Sequence, residues 1–223
     1  MRSNFRKDTM DFELFLKYLP KILKESLPAT AAHLKMAPFE RVEMMKKWNY
    51  EDKNPRKSAV MMLFYPKGGV THLILIVRNA YPGVHSSQIS FPGGKAESTD
   101  ASYQDTALRE TYEEVGISKD QIKVVREFSE IYIPPSNFIV YPFMGISEQE
   151  LVFKPSEYEV AELIELSLTD FLDDAKVVNV ILSTSYATEA QVPAFKIDNH
   201  IIWGATAMLM SELKEVLKSV LSH

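Results

Sequence analysis

Arg109-Glu110-Thr111-Tyr112-Glu113-Glu114-Val115-Gly116-Ile117 is the stretch on which the reading of this chain turns. At 100° per residue, Leu108, Thr111, Tyr112 and Val115 share one stripe, at the i, i+3, i+4, i+7 spacing of a buried helix face. Glu110, Glu113 and Glu114 lie on the other side at i, i+3, i+4. Gly116 suits the position just past a helix end, so the spacing predicts a helix from about Ser102 to Val115. Carboxylates crowded into one turn repel, each like-charge i,i+4 pair costing roughly 0.2–0.5 kcal/mol. A Glu-rich face is ordinarily just a solvated one. A hard divalent cation would instead turn the repulsion into coordination, since Mg²⁺ takes oxygen ligands and is commonly shared between carboxylates and phosphates.

Working outward, a glycine loop, Phe91-Pro92-Gly93-Gly94, precedes this helix. Glycines let backbone approach a ligand closely, so a peptide group of Gly93 or Gly94 could reach a metal or a phosphate.

Loop and helix together resemble the Nudix box, G-x5-E-x7-R-E-U-x-E-E-x-G-U, with U aliphatic. The second half matches from Arg109 to Ile117 except that Thr111 replaces the first U. The first half departs: Gly94 to Arg109 is one residue longer than the pattern, and Asp100 stands where Glu is usual. The variant resembles the coenzyme A pyrophosphatase branch, with its Phe-Pro-Gly-Gly-Lys loop ending at Lys95, an acidic pair (Glu97 and Asp100) and Thr106-Ala-Leu-Arg-Glu110. Upstream, Arg78, His85 and Gln88 match that branch, while Gly83 and Ser87 replace an arginine and a glycine of its pattern. Downstream, Pro135 to Phe143, Glu157 to Glu162, Leu166-Ser167-Leu168 and Ile202-Trp-Gly-Ala-Thr-Ala207 are similar to later family segments. The likeness spans Ser58 to the C-terminus and says little about residues 1–57.

The remaining chain reads as one well-cored domain with a helical extension. It has 223 residues, 46% hydrophobic and 25% charged, with too few Gly and Pro for a disordered chain. Zero cysteines exclude disulfides, thiolate zinc sites and cysteine nucleophiles. A net charge of −5 without a basic block argues against nucleic-acid binding. The longest apolar runs, Ala59–Tyr65 and Leu73–Val77, are strand-sized, well short of the roughly 18–20 residues of a membrane span. No secretory signal is visible, and a cytoplasmic location is expected.

Met10 to Leu27 reads as an amphipathic helix kinked or split at Pro20, and residues 46–57 as a polar connection. Ala59–Tyr65 and His72–Arg78 form a hairpin-like pair; Ile122–Ile133, Phe138–Ile146, Val160–Leu166, Val177–Leu182 and Val192–Ile197 are further strands. Ala205–Leu221 is a final helix. Tyr112 and Trp203 are read as core, and the methionine pairs Met44-Met45 and Met61-Met62 as core filler.

The resemblance implies a Nudix α/β/α sandwich with a mixed β-sheet, residues 58–223 forming the hydrolase domain and 1–57 an N-terminal helical extension. It implies Mg²⁺- or Mn²⁺-dependent cleavage of a nucleoside diphosphate derivative, with coenzyme A or an acyl derivative split to 3′,5′-ADP and a phosphopantetheine. Glu110, Glu113 and Glu114 with the Gly94 carbonyl are the implied metal ligands, and Arg109, Glu110 and Glu113 the implied catalytic set. Arg78, His85, Gln88 and Lys95 are the implied substrate contacts; the general base is a box glutamate or one of Glu157, Glu159 and Glu162. Cleavage of ADP-ribose, nucleotide sugars or dinucleoside polyphosphates is the alternative, and a non-catalytic nucleotide sensor a third reading. No nucleic-acid or membrane partner is expected, and a homodimer stays open.

Overall fold

A computed structural model describes residues 10–45, 53–79, 88–183 and 189–221. The chain opens with helix α1 (Phe12–Ile22), capped by the Asp11 carboxylate, which accepts the Leu14 N–H at 3.0 Å. Pro20 does not split α1: it falls in the last turn, where its missing N–H removes one bond and the helix ends two residues later. Two short helices, α2 (Thr30–His33) and α3 (Phe39–Met45), follow, neither legible in the hydrophobic periodicity. The Met44 and Met45 side chains and residues 46–52 lie outside the described residues.

The hairpin is longer than the apolar runs suggest, β1 (Arg56–Lys67) and β2 (Val70–Arg78). Two short strands, β3 (Ile89–Ser90) and β4 (Gly93–Lys95), lead to α4 (Tyr103–Val115). The expected strand Ile122–Ile133 is two strands, β5 (Lys123–Glu127) and β6 (Ile131–Ile133), because the chain turns between them to bury Phe128. Then come β7 (Phe138–Ile146), β8 (Val160–Ser167), α5 (Leu168–Leu172), β9 (Val177–Leu182), β10 (Ala190–Ile197), β11 (His200–Ile202) and α6 (Gly204–Leu221).

β1 is the axis. It pairs parallel with β7 and antiparallel with β2 and β4, in an eight-stranded mixed sheet whose main path runs β3-β2-β1-β7-β5. Its side chains alternate between faces, as a strand buried on both sides must. Met62 and Phe64 join the core beneath α1 and α6, with Leu73 and Leu75 of β2. Ala59, Met61, Leu63 and Tyr65 join the core beneath α4, with Ile74 and Ile76. This is the α/β/α sandwich. A second sheet, β11-β10-β9, buries Phe195, Ile197 and Ile202 against the α6 side.

The N-terminal segment is docked on this frame. Phe12, Phe15 and Ile22 are buried in the α6-side core, and the Phe12 N–H donates to the Gly69 carbonyl at 2.9 Å. Glu212 of α6, 0% exposed, accepts the Ala29 N–H at 2.9 Å and the Ser129 N–H at 3.1 Å, with His33 Nε2 at 3.4 Å. Both carboxylate oxygens are therefore used as acceptors. Glu212→Gln turns one of them into an NH₂ facing a donor, so it should lower the unfolding free energy by about 1–3 kcal/mol. Urea titration checks this, and an unchanged midpoint would mean that the contact contributes nothing to docking.

Candidate active site

Helix α4 carries the site, and its ends are fixed locally. Ser102 caps it by accepting the Asp105 N–H at 3.1 Å, and Gly116, in the left-handed region at φ 74°, closes it. Its buried face differs from the expected one. Ala107, Thr111, Glu114 and Val115, at i, i+4, i+7 and i+8, are buried, whereas Tyr112 is 60% exposed. The helix is rolled so that a carboxylate, not the tyrosine, faces the sheet. The reason is that the sheet offers Glu114 partners. Arg78 Nη1, at the end of β2, donates to Glu114 Oε1 at 3.0 Å, and the Gly93 N–H donates to Oε2 at 2.8 Å. Such charge-assisted bonds permit a group 1% exposed to remain inside.

Arg109 organises the other carboxylates. Its Nε and Nη2 grip Asp100 bidentately at 2.9 and 3.0 Å, while Nη1 donates to both Glu110 and Glu113 at 2.9 Å. Nη2 also holds the Lys95 carbonyl at 3.0 Å, tying the glycine loop to the helix. The repulsion expected along this face is thus relieved within the protein by one guanidinium. Gly94 lies so close to the Glu110 carboxylate that a Cβ there would collide with it, the reason this position takes glycine.

Burial pushes the Glu114 carboxyl up to about 8; Arg78 and the Gly93 N–H pull it down, and Glu110 and Glu159 push it further up. Burial likewise raises Glu110 against the pull of Arg109, with Glu113 and Glu159 adding to the rise. The Arg109 fork holds Asp100 well below the usual carboxylate range, against the opposing effect of burial. Asp100, Glu110, Glu113, Glu114 and Glu159 therefore face two arginines, Arg78 and Arg109. The excess negative charge and the all-oxygen donor set fit a hard divalent cation. Among the described residues no three acidic or histidine side chains are already gathered into a coordination shell.

The sign of the resulting pH dependence is fixed. A carboxyl raised in the folded state binds its proton more tightly there than in the unfolded chain, where Glu titrates near about 4.3. Stability with divalent cations chelated should thus rise as pH falls from about 8 toward 5. Glu114→Gln should flatten that rise. Melting temperatures across this range test it, and an identical slope in the variant would contradict the placement of Glu114.

Of the expected substrate contacts, Arg78, Gln88 and Lys95 line one cavity of about 540 Å³, which runs from Gly93-Gly94 to the start of α6. Arg78 is paired with Glu114 and half-buried, whereas Lys95 is exposed. His85, with Gly83 and Ser87, lies outside the described residues. Trp203 is not core: half-buried, it lines the same cavity, because α6 begins there and its first turn forms the wall. Glu162 lies beside His200 Nε2 at 3.1 Å, and Glu159 is a later-segment carboxylate whose charge raises both Glu110 and Glu114. Sequence reasoning missed Pro38 and Arg41 as cavity residues, since they reach it only through the docking of the N-terminal segment.

Residues 54–181 match the model of the NUDIX domain family. An uncharacterized Nudix hydrolase NudL of Pectobacterium atrosepticum is 34% identical over 148 residues, covering 63% of this chain and 72% of that one. Its counterpart in Photorhabdus laumondii is 30% identical over 162 residues, covering 73% and 85%. Among solved structures, a Nudix hydrolase from M. smegmatis, RenU, superposes with a TM-score of 0.51 at 17% identity, covering 74% of this chain and 88% of that one. A MutT/nudix family protein from Enterococcus faecalis gives 0.51 at 16% identity, covering 86% and 76%. These two bear on the fold alone.

Proposed function

This chain belongs to the Nudix family and is a pyrophosphatase hydrolase of it, and from that premise we propose that it cleaves the diphosphate of coenzyme A or acyl-coenzyme A. The products are 3′,5′-ADP and (acyl-)phosphopantetheine. The observation that carries the reading is the meeting of the Gly93-Gly94 loop with Glu110, Glu114 and Glu159 beside a cavity large enough for the rest of a nucleotide.

Glu110, Glu113 and Glu114, with the Gly94 carbonyl, are the residues to hold Mg²⁺ or Mn²⁺. When bound, the cation supplies the positive charge and Lewis acidity that offset the diphosphate's negative charge. The protein's own part is positioning, the main demand of phosphoryl chemistry. Arg109 keeps Glu110 and Glu113 aimed, and Arg78 with the Gly93 N–H keeps Glu114 in place. Glu159 takes the proton of the attacking water on a carboxylate oxygen. Water's oxygen then bonds to one phosphorus, the bridging P–O bond breaks, and a phosphate monoester leaves. We take residues 58–223 as the catalytic unit and 1–57 as its N-terminal helical extension, of which α1, Phe12–Ile22, packs into the core beneath α6. Among the described residues no helix is long and apolar enough to cross a membrane. We place the enzyme in the cytoplasm, acting on a small-molecule substrate.

Gly83 and Ser87, departures in the stretch most distinctive of coenzyme A enzymes, favour ADP-ribose, nucleotide sugars or dinucleoside polyphosphates as the second reading. A screen of phosphate-monoester products over these compounds and coenzyme A, with Mg²⁺, separates the two. The expected result is 3′,5′-ADP from coenzyme A; brisk cleavage of ADP-ribose with coenzyme A untouched would overturn the substrate assignment.

A further inference from the structure

β2 ends at Arg78, and there its pairing with β8 changes register: Val77 lies opposite Glu162 but Arg78 opposite Val160. The extra residue on β8 makes a bulge, the kind of irregularity that re-aims side chains beside active sites. Successive residues of extended backbone point to opposite sides. Arg78 donates to Glu114 Oε1 at 3.0 Å, whereas Nδ2 of the next residue, Asn79, donates to the Glu157 carbonyl at 2.8 Å. The Asn79 backbone N–H donates to the Glu159 carbonyl at 2.9 Å. Both Asn79 bonds fall on the turn 156–160 that leads into β8. The Ser156 N–H ties the start of this turn to the Glu114 carbonyl of α4 at 2.9 Å, and the Val160 N–H closes it on the Ser156 carbonyl at 2.9 Å. Packing gives the turn little hold, since Glu157, Tyr158 and Glu159 are exposed, Tyr158 at 92%. An exposed glutamate has many rotamers, so what the fold can fix is the backbone from which it springs.

We propose that Asn79 is a positioning residue, holding the turn 156–160 so that Glu159 keeps its carboxylate beside those of α4. The proposal rests on the reading of Glu159 as the group that takes the proton of the attacking water, and deepens it. The Glu159 charge is felt at both Glu110 and Glu114, which puts it within electrostatic reach of the two. A general base must come within about 2.6–3.2 Å of the group whose proton it takes, and a misplacement of about 1 Å can cost up to about 100-fold in rate. The end of β2 then serves both halves of the chemistry. Arg78 seats a carboxylate for the cation, and Asn79 seats the one for water.

The test measures kcat, KM and melting temperature for wild type, Asn79→Ala, Glu159→Gln and the double variant. The substrate is the nucleoside diphosphate derivative that the wild type cleaves fastest with Mg²⁺. Glu159→Gln should lower kcat at least about 100-fold. Asn79→Ala should lower kcat about tenfold and leave KM within about twofold. Its melting temperature should move by no more than a few degrees, because the bond removed is an exposed one. With no base left to aim, Asn79→Ala should cost nothing further in kcat on top of Glu159→Gln, a non-additivity that a merely structural role would not produce. Two results would overturn the positioning role while leaving Glu159 as the base. One is a tenfold loss that persists in the Glu159→Gln background; the other is wild-type kcat in Asn79→Ala beside an impaired Glu159→Gln. Near-wild-type kcat in Glu159→Gln, or no cleavage by the wild type at all, would sink the reading of Glu159 itself and the proposal with it.

Discussion

Glu114→Gln should abolish cation-dependent turnover while leaving the fold standing. The amide keeps the size of the side chain, its helix propensity and an oxygen for the Gly93 N–H, now at 2.8 Å. What is lost is the negative charge that this carboxyl can present to a cation, at a position 1% exposed between a glycine loop and Arg78. Losing several kcal/mol of electrostatic stabilisation at the reacting phosphate corresponds to a fall in kcat of at least about 100-fold. The melting temperature should fall by no more than several degrees: the amide NH₂ meets the Arg78 Nη1 donor, at a cost of about 1–3 kcal/mol, and removal of a carboxylate that burial disfavours offsets part of it. A variant with near-wild-type kcat at saturating Mg²⁺ would show that the cation sits elsewhere.

Arg109→Ala should be the most damaging change to stability. One guanidinium joins Asp100, Glu110, Glu113 and the Lys95 carbonyl. Its removal leaves two largely buried carboxylates, Asp100 and Glu110, uncompensated, a situation that typically costs about 3–5 kcal/mol. The loss should be greatest near neutral pH. Asp100 has a folded-state value held below the unfolded one, so its contribution is full above about pH 4 and fades only as the solution is acidified through the folded value. Divalent cation should restore part of the lost stability, since it binds the folded cluster and not the unfolded chain. Urea unfolding at pH 7, with and without Mg²⁺, measures both effects. A loss below about 1 kcal/mol would mean that solvent already screens these carboxylates.

Much of the site could be read from the sequence because it is local. The Ser102 cap, the carboxylates of one turn and the Gly116 terminus lie within fifteen residues of one another, so spacing alone places them on one helix. Periodicity gives the angles between side chains but not which arc faces the sheet. That phase is set by Arg78 and Gly93, far away in sequence, and it exchanged Tyr112 for Glu114 in the interior. The same limit hid Arg41. A seven-residue helix gives almost no periodic signal, and Arg41 gains its position only when α3 docks beside Tyr132. Trp203 looked like core because large aromatics usually are, yet the start of α6 leaves it on a cavity wall. The mixed sheet was legible from the apolar runs, whereas the parallel pairing of β1 with β7, which spans 82 residues from Arg56 to Phe138, was not.

The most direct test of the account is the cation dependence of diphosphate cleavage by the wild-type protein. Coenzyme A and the other nucleoside diphosphate derivatives are incubated with Mg²⁺ or Mn²⁺, with excess chelator, and with cation restored. Phosphate-monoester products should disappear on chelation and return with either cation. Undiminished cleavage in chelator, or no cleavage of any diphosphate with either cation, would contradict it.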